Sequence, residues 1–214
     1  MDTHVTFVLD SSGSMAKIED DTIGGFNAFL RNQREEEGTA SVSLYDFDTN
    51  VHETYRGRML ENAPELDRER YSPSGQTALH DAIVTAINGT DAYLASLNGA
   101  ERPDTVVVVV LTDGKENASE TPKKRVREQI EYRRDEFEWE FLFIGANQDA
   151  ALTADRIGMD RDKSLTMAHS GEGTTAAYES TSKRISQARR EGRTGGFDDE
   201  DRIRQDEARR SNSD

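Results

Sequence analysis

Residues Asp104–Leu111 read DTVVVVVL. Five consecutive valines, each β-branched, crowd a helix surface and leave no polar position for a strand with one wet face. They suit the centre of a parallel sheet covered by helices on both sides. The run stops at Thr112-Asp113-Gly114. A similar apolar run, Val5–Leu9, stops at Asp10-Ser11-Ser12-Gly13-Ser14. A third, Trp139–Ile144, stops at Gly145.

Segments with helical spacing separate these runs. Ile18, Thr22, Gly25, Phe26, Phe29 and Leu30 recur three and four apart. Gly24-Gly25 within that helix costs about 1 kcal/mol per glycine relative to alanine, so a close approach to the sheet is expected there. Ser41–Phe47 and Val51–Arg58 alternate apolar and polar residues around Asp48-Thr49-Asn50, which predicts a hairpin and one antiparallel edge strand. Residues 59–76 are punctuated by Pro64, Pro73 and Gly75 and read as irregular. Helices are predicted over about 78–97, 122–135, 149–157 and 173–190, with a weak strand near Ser164–Ala168. The ordered domain therefore covers 1–190. Residues 191–214 are rich in glycine and charge; Asp198–Arg210 could form a polar helix, but nothing in the sequence makes it pack, and the segment is expected to be a mobile tail.

Alternation of strands and helices implies an open α/β sheet with right-handed crossovers. Ligands in such folds sit beyond the carboxyl ends of the strands. Asp10 and Asp113 both follow strand-like runs, so both belong to that edge. Asp10-x-Ser12-x-Ser14 offers one carboxylate and two hydroxyls at alternate positions, which point the same way in an extended or loop backbone. Every donor is oxygen, the preference of Mg²⁺, Ca²⁺ or Mn²⁺. The plainer alternative is a turn in which Ser12 or Ser14 caps the next helix. Thr77, in Ser74-Gly75-Gln76-Thr77, is equally open to reading as a cap. Taken together, Asp10, Ser12, Ser14, Thr77 and Asp113 supply two carboxylates and three hydroxyls, with room for water in an octahedral shell.

These three motifs, in this order and in these contexts, resemble the metal-ion-dependent adhesion site of von Willebrand factor A domains. The resemblance covers about 5–190. It implies that Asp10, Ser12, Ser14 and Thr77 are metal ligands and that Asp113 binds directly or through water. It also implies a three-layer, Rossmann-like, mostly parallel six-stranded sheet in the order 3-2-1-4-5-6. The stretches Asp21–Leu30, Thr112–Ser119 and Trp139–Asp149 are similar to stand-alone prokaryotic and phage members. The implied function is metal-dependent protein recognition, in which the cation takes an acidic side chain from a partner. Two alternatives are an adaptor subunit of an ATPase- or stress-linked intracellular complex and a Mg²⁺-dependent phosphohydrolase. Catalysis is not expected, because the second acid such enzymes carry two residues after the first is here Ser12.

Composition narrows the classes further. The chain of 214 residues has no cysteine, which excludes disulfides, thiolate metal sites and cysteine nucleophiles. A net charge of −15 argues against nucleic acid as the main partner. No stretch approaches a membrane span, and a cytoplasmic, monomeric protein is expected. Six lysines against twenty-one arginines, in so acidic a chain, predict a protein adapted to concentrated salt. Gly171-Glu172-Gly173-Thr174-Thr175-Ala176 fits a dinucleotide fingerprint, but no further strand follows, so it reads as a glycine-rich helix start. His4, His52, His80 and His169 show no ligand spacing, with His80 expected nearest the loops.

Overall fold

The computed structural model describes residues 2–146 and 149–212. Asn147 and Gln148, part of the Trp139–Asp149 resemblance, and the last two residues of the 191–214 segment lie outside the described residues. Six strands form one sheet: β1 (Thr3–Asp10), β2 (Ala40–Phe47), β3 (Val51–Met59), β4 (Thr105–Thr112), β5 (Glu140–Ala146) and β6 (Ser164–Met167). Their order is β3-β2-β1-β4-β5-β6, and all neighbours are parallel except the β2–β3 hairpin. The helices are α1 (Glu19–Glu35), α2 (Leu79–Ser96), α3 (Lys123–Phe137), α4 (Ala150–Arg156), α5 (Gly171–Glu191) and α6 (Asp199–Ser211). Among the described residues, no helix is long and apolar enough to cross a membrane.

The valine run does what its chemistry requires. Val107, Val109 and Leu111 enter the core that includes Phe26, Phe29 and Ala177 of α1 and α5, while Val106, Val108 and Val110 enter the core on the α2–α3–α4 side. β1 alternates likewise: Val5, Phe7 and Leu9 face α1 and α5, whereas Val8 faces α2. His4 and Thr6 are also buried in β1, in a hydroxyl network with Ser41, Ser43 and Thr90. A fully extended, two-sided burial of this kind leaves only the strand ends for polar chemistry.

Two expectations are corrected. Gly25 makes its close approach to a helix, not to the sheet: a Cβ there would lie 2.2 Å from Tyr178 Cδ2 of α5. The segment after α5 is not a mobile tail over its described length. Phe197 is buried in the core on the α1–α5 side. Asp198 accepts from the Asp201 N–H, and Asp201 accepts in return from the Asp198 N–H, so the two start α6 as a capping box. Gln205 then takes the Ala168 N–H at 2.9 Å and donates to the Gly173 carbonyl at 3.0 Å. Arg202 donates to the Ser164 carbonyl. Polar side chains bonding to backbone hold this helix, so a search for an apolar stripe misses it.

Candidate metal centre

β1 ends at Asp10, and the chain turns at once into a 3-10 segment, Gly13–Ile18. The alternate residues therefore converge through a turn rather than along an extended chain. Ser12 stands at the cap position of that segment, yet its hydroxyl makes no capping bond. Instead Ser12 Oγ lies 3.2 Å from Ser14 Oγ, and Ser14 Oγ donates to Asp113 Oδ1 at 2.6 Å. Thr77 is likewise not the cap of α2, a position held by Ala78 without a side-chain bond. The plainer reading of these hydroxyls as helix caps therefore does not describe their contacts.

Backbone bonds stitch the three loops together. The Gly13 N–H donates to the Gly75 carbonyl at 3.3 Å, and the Ser74 N–H to the Ser11 carbonyl at 2.8 Å. Asn117 accepts from the Thr77 N–H through Oδ1 and donates its own N–H to the Thr77 carbonyl. Gly114 is glycine for space: a Cβ there would sit 2.6 Å from Thr77 Oγ1. The Asp113 loop and the Thr77 loop thus close on each other only because residue 114 has no side chain. All five residues sit on one edge of the sheet. Asp113 touches the first turn directly, and Thr77 joins through Gly114, Asn117 and the Gly13–Gly75 bond.

Both carboxylates are buried. Asp10 Oδ1 accepts from the Ser12 N–H at 2.7 Å, and Oδ2 accepts from Thr112 Oγ1. Burial raises the Asp10 carboxyl above its ordinary range; hydrogen bonds from Thr112 and Ser12 oppose this, and the negative charge of Asp113 adds to it. The side chain of Asp113 is 0% exposed. Its Oδ2 faces His169 Nε2 at 2.9 Å without an aligned hydrogen, and neither atom has another hydrogen-bond partner among the described residues. A buried carboxylate oxygen without a donor is costly unless positive charge stands nearby.

Sequence reasoning missed several contributors. Tyr71, in the irregular stretch, is buried and donates to the Asp10 carbonyl at 2.6 Å. Thr112 and Asn117 orient Asp10 and Thr77. His169 is the histidine that meets Asp113 itself, whereas His80 meets the same loop farther on, donating its N–H to Glu116 and placing Nδ1 3.2 Å from the Thr121 carbonyl. No spacing in the chain announces His169, since its partner lies on another strand's loop.

The donor set fits a hard dication. It holds two carboxylates, three hydroxyls, no sulfur, and one carboxylate oxygen that lacks a donor. Among the described residues, no three histidine, aspartate or glutamate side chains gather as they would in an imidazole- or carboxylate-rich cage, so hydroxyls would have to complete the shell.

Comparisons with known proteins agree with this architecture. No curated protein matches the chain in sequence. Among solved structures, proximal thread matrix protein 1 from the mussel byssus superposes with a TM-score of 0.61 at 17% identity, covering 86% of this chain and 46% of that one. A form of the same protein with a zinc-occupied MIDAS motif gives 0.62 at 14% identity over 86% and 48%. The D319A mutant of the PilB minor pilin from Streptococcus sanguinis gives 0.61 at 19% identity over 87% and 62%. The chain thus spans roughly half of the first of these proteins and three-fifths of the pilin. At such identities the likeness concerns the fold. The sequence profile of the von Willebrand factor type A domain matches residues 4–189. Six strands in the order found here, the turns at their carboxyl ends and that match together place the chain in the von Willebrand factor type A domain family.

Proposed function

We propose that Asp10, Ser12, Ser14, Thr77 and Asp113 hold one divalent cation, Mg²⁺ or alternatively Mn²⁺ or Ca²⁺, and that the protein uses it to bind an acidic residue of a partner protein. The observation that carries the reading is Asp113, fully buried, with one oxygen on Ser14 and the other without an aligned donor. The zinc-occupied motif of the mussel protein supports it by analogy. When bound, a dication held by two carboxylates and neutral hydroxyls stays electrophilic and accepts a carboxylate in place of water. The chain's own residues supply the frame. Tyr71 and Thr112 fix Asp10, Ser14 fixes Asp113, and Asn117 fixes the backbone at Thr77. No group on this edge is assigned a catalytic role.

Isothermal titration of Mg²⁺ and Mn²⁺ into the wild type, Asp10→Ala and Ser14→Ala tests the reading. The wild type is expected to give saturable heats, and both variants to lose them while keeping their circular dichroism spectra. Equal heats in all three would remove the site. A generic phosphate ester turned over with Mg²⁺, and no longer turned over by Asp10→Asn, would replace recognition by hydrolysis.

A further inference from the structure

Beside the metal centre a cleft of about 430 Å³ opens between α2, α3, α4 and the loop after β4. Lys115 stands two residues beyond Asp113 and His80 three beyond Thr77, so cleft and centre share two elements. Three cations line it: Lys115, Lys123 and Arg156, all exposed. None of them forms an ion pair among the described residues. Most other bases on α3 are paired, Lys124 with Glu128, Arg127 with Glu131, Arg133 with Asp91 and Arg134 with Asp160, the exception being Arg125.

The two carboxylates in the wall are already engaged. Glu116 accepts from the N–H groups of His80, Ala118 and Ser119 and from the Ser119 hydroxyl. Asp149 caps α4 by accepting from the Leu152 N–H at 3.0 Å. The walls are tied to one another as well, since Asp81 of α2 accepts from the Glu120 and Thr121 N–H groups. An acidic partner approaching a chain of net charge −15 meets repulsion over most directions. The lining of this cleft departs from that excess of acid, with three cations against two carboxylates.

We infer that this cleft is a second anchoring point for the acidic partner, taking a further carboxylate of the same peptide beside the one at the metal centre. The inference rests on the metal-dependent reading of the preceding subsection. It makes the preferred partner a segment with at least two acidic side chains.

Two capped peptides serve as probes: hexaglutamate, and a glycine–serine hexapeptide carrying one glutamate. Binding is measured with Mn²⁺ at low salt. The wild type is expected to prefer hexaglutamate by about ten-fold or more. The triple variant Lys115→Ser/Lys123→Ser/Arg156→Ser is expected to lose that preference while keeping its affinity for Mn²⁺ and for the single-acid peptide. A control, Arg58→Ser/Arg102→Ser/Arg193→Ser, removes the same charge at the opposite edge of the sheet and is expected to keep the preference. A cleft variant that still prefers hexaglutamate, or a control that loses the preference equally, overturns the inference. So does a wild type without preference. Hexaglutamate binding that needs the cleft but not Mn²⁺ would leave the cleft standing and sink the metal-dependent reading instead.

Discussion

His169 reaches from the loop between β6 and α5 to stand 2.9 Å from the buried carboxylate of Asp113. Its neighbour Ala168 gives its N–H to Gln205 of α6. A helix beyond the matched domain therefore grips the loop that meets the candidate centre. Removing a group that stands against a metal-ligating side chain from outside the shell costs about 10- to 100-fold in metal affinity. His169→Ala is expected to weaken Mn²⁺ binding within that range, with little change in melting temperature. Titration calorimetry on both proteins checks it; unchanged affinity would make His169 a spectator.

Gln205 is 1% exposed and serves the Ala168 N–H and the Gly173 carbonyl together. Gln205→Ala leaves the buried Ala168 N–H unpaired, at about 1–3 kcal/mol when no water replaces the side chain, and removes a second donor from the Gly173 carbonyl, which keeps its bond within α5. A loss of about 1–3 kcal/mol is expected in urea unfolding. A loss below about 0.5 kcal/mol would show that α6 is held elsewhere.

Gly24 and Gly25 should respond to alanine with opposite signs. Nothing lies within 4 Å of a Cβ on Gly24, so Gly24→Ala is expected to stabilise by about 0.5–1 kcal/mol through helix propensity. At Gly25 the added methyl meets the Tyr178 ring at 2.2 Å. Gly25→Ala is expected to destabilise by about 1–3 kcal/mol. Thermal melts of the two variants decide it.

His4 is buried in β1, and burial lowers its pKa from 6.5 to about 3. The unfolded chain takes up this proton near pH 6.5, whereas the folded chain resists until about pH 3. The stability from the neutral imidazole is thus full above pH 6.5 and declines as pH falls, at up to about 1.4 kcal/mol per unit. Urea midpoints should fall as the pH is lowered from 7 to 4 for the wild type and fall less steeply for His4→Gln. Parallel curves would assign the acid sensitivity to other groups.

The charge balance predicts a salt response. With a net charge of −15, molar KCl is expected to raise the unfolding midpoint by screening self-repulsion. A midpoint unchanged between low and molar KCl would end the idea of adaptation to salt.

Much of the site was readable in the chain because its logic is local. An apolar strand that stops in Asp10-Ser11-Ser12 or Thr112-Asp113-Gly114 puts carboxylates at the strand's carboxyl end, whatever its neighbours. The inward face of α1 was readable for the same reason, since periodicity needs only nearby residues. The sheet order came from the family resemblance, not from periodicity.

Tertiary structure decided which distant groups complete those local pieces. Tyr71 reaching Asp10, His169 reaching Asp113 and Gln205 reaching Ala168 join residues far apart in the chain. The space at Gly25 is set by an aromatic ring on another helix. The segment after residue 190 shows the same division. Its charge and glycine content describe a solvated tail, but its polar side chains find backbone partners on β6 and α5 that exist only once the sheet is assembled. Apolar burial is written in the residue type, whereas a hydrogen bond to backbone depends on where that backbone has been placed.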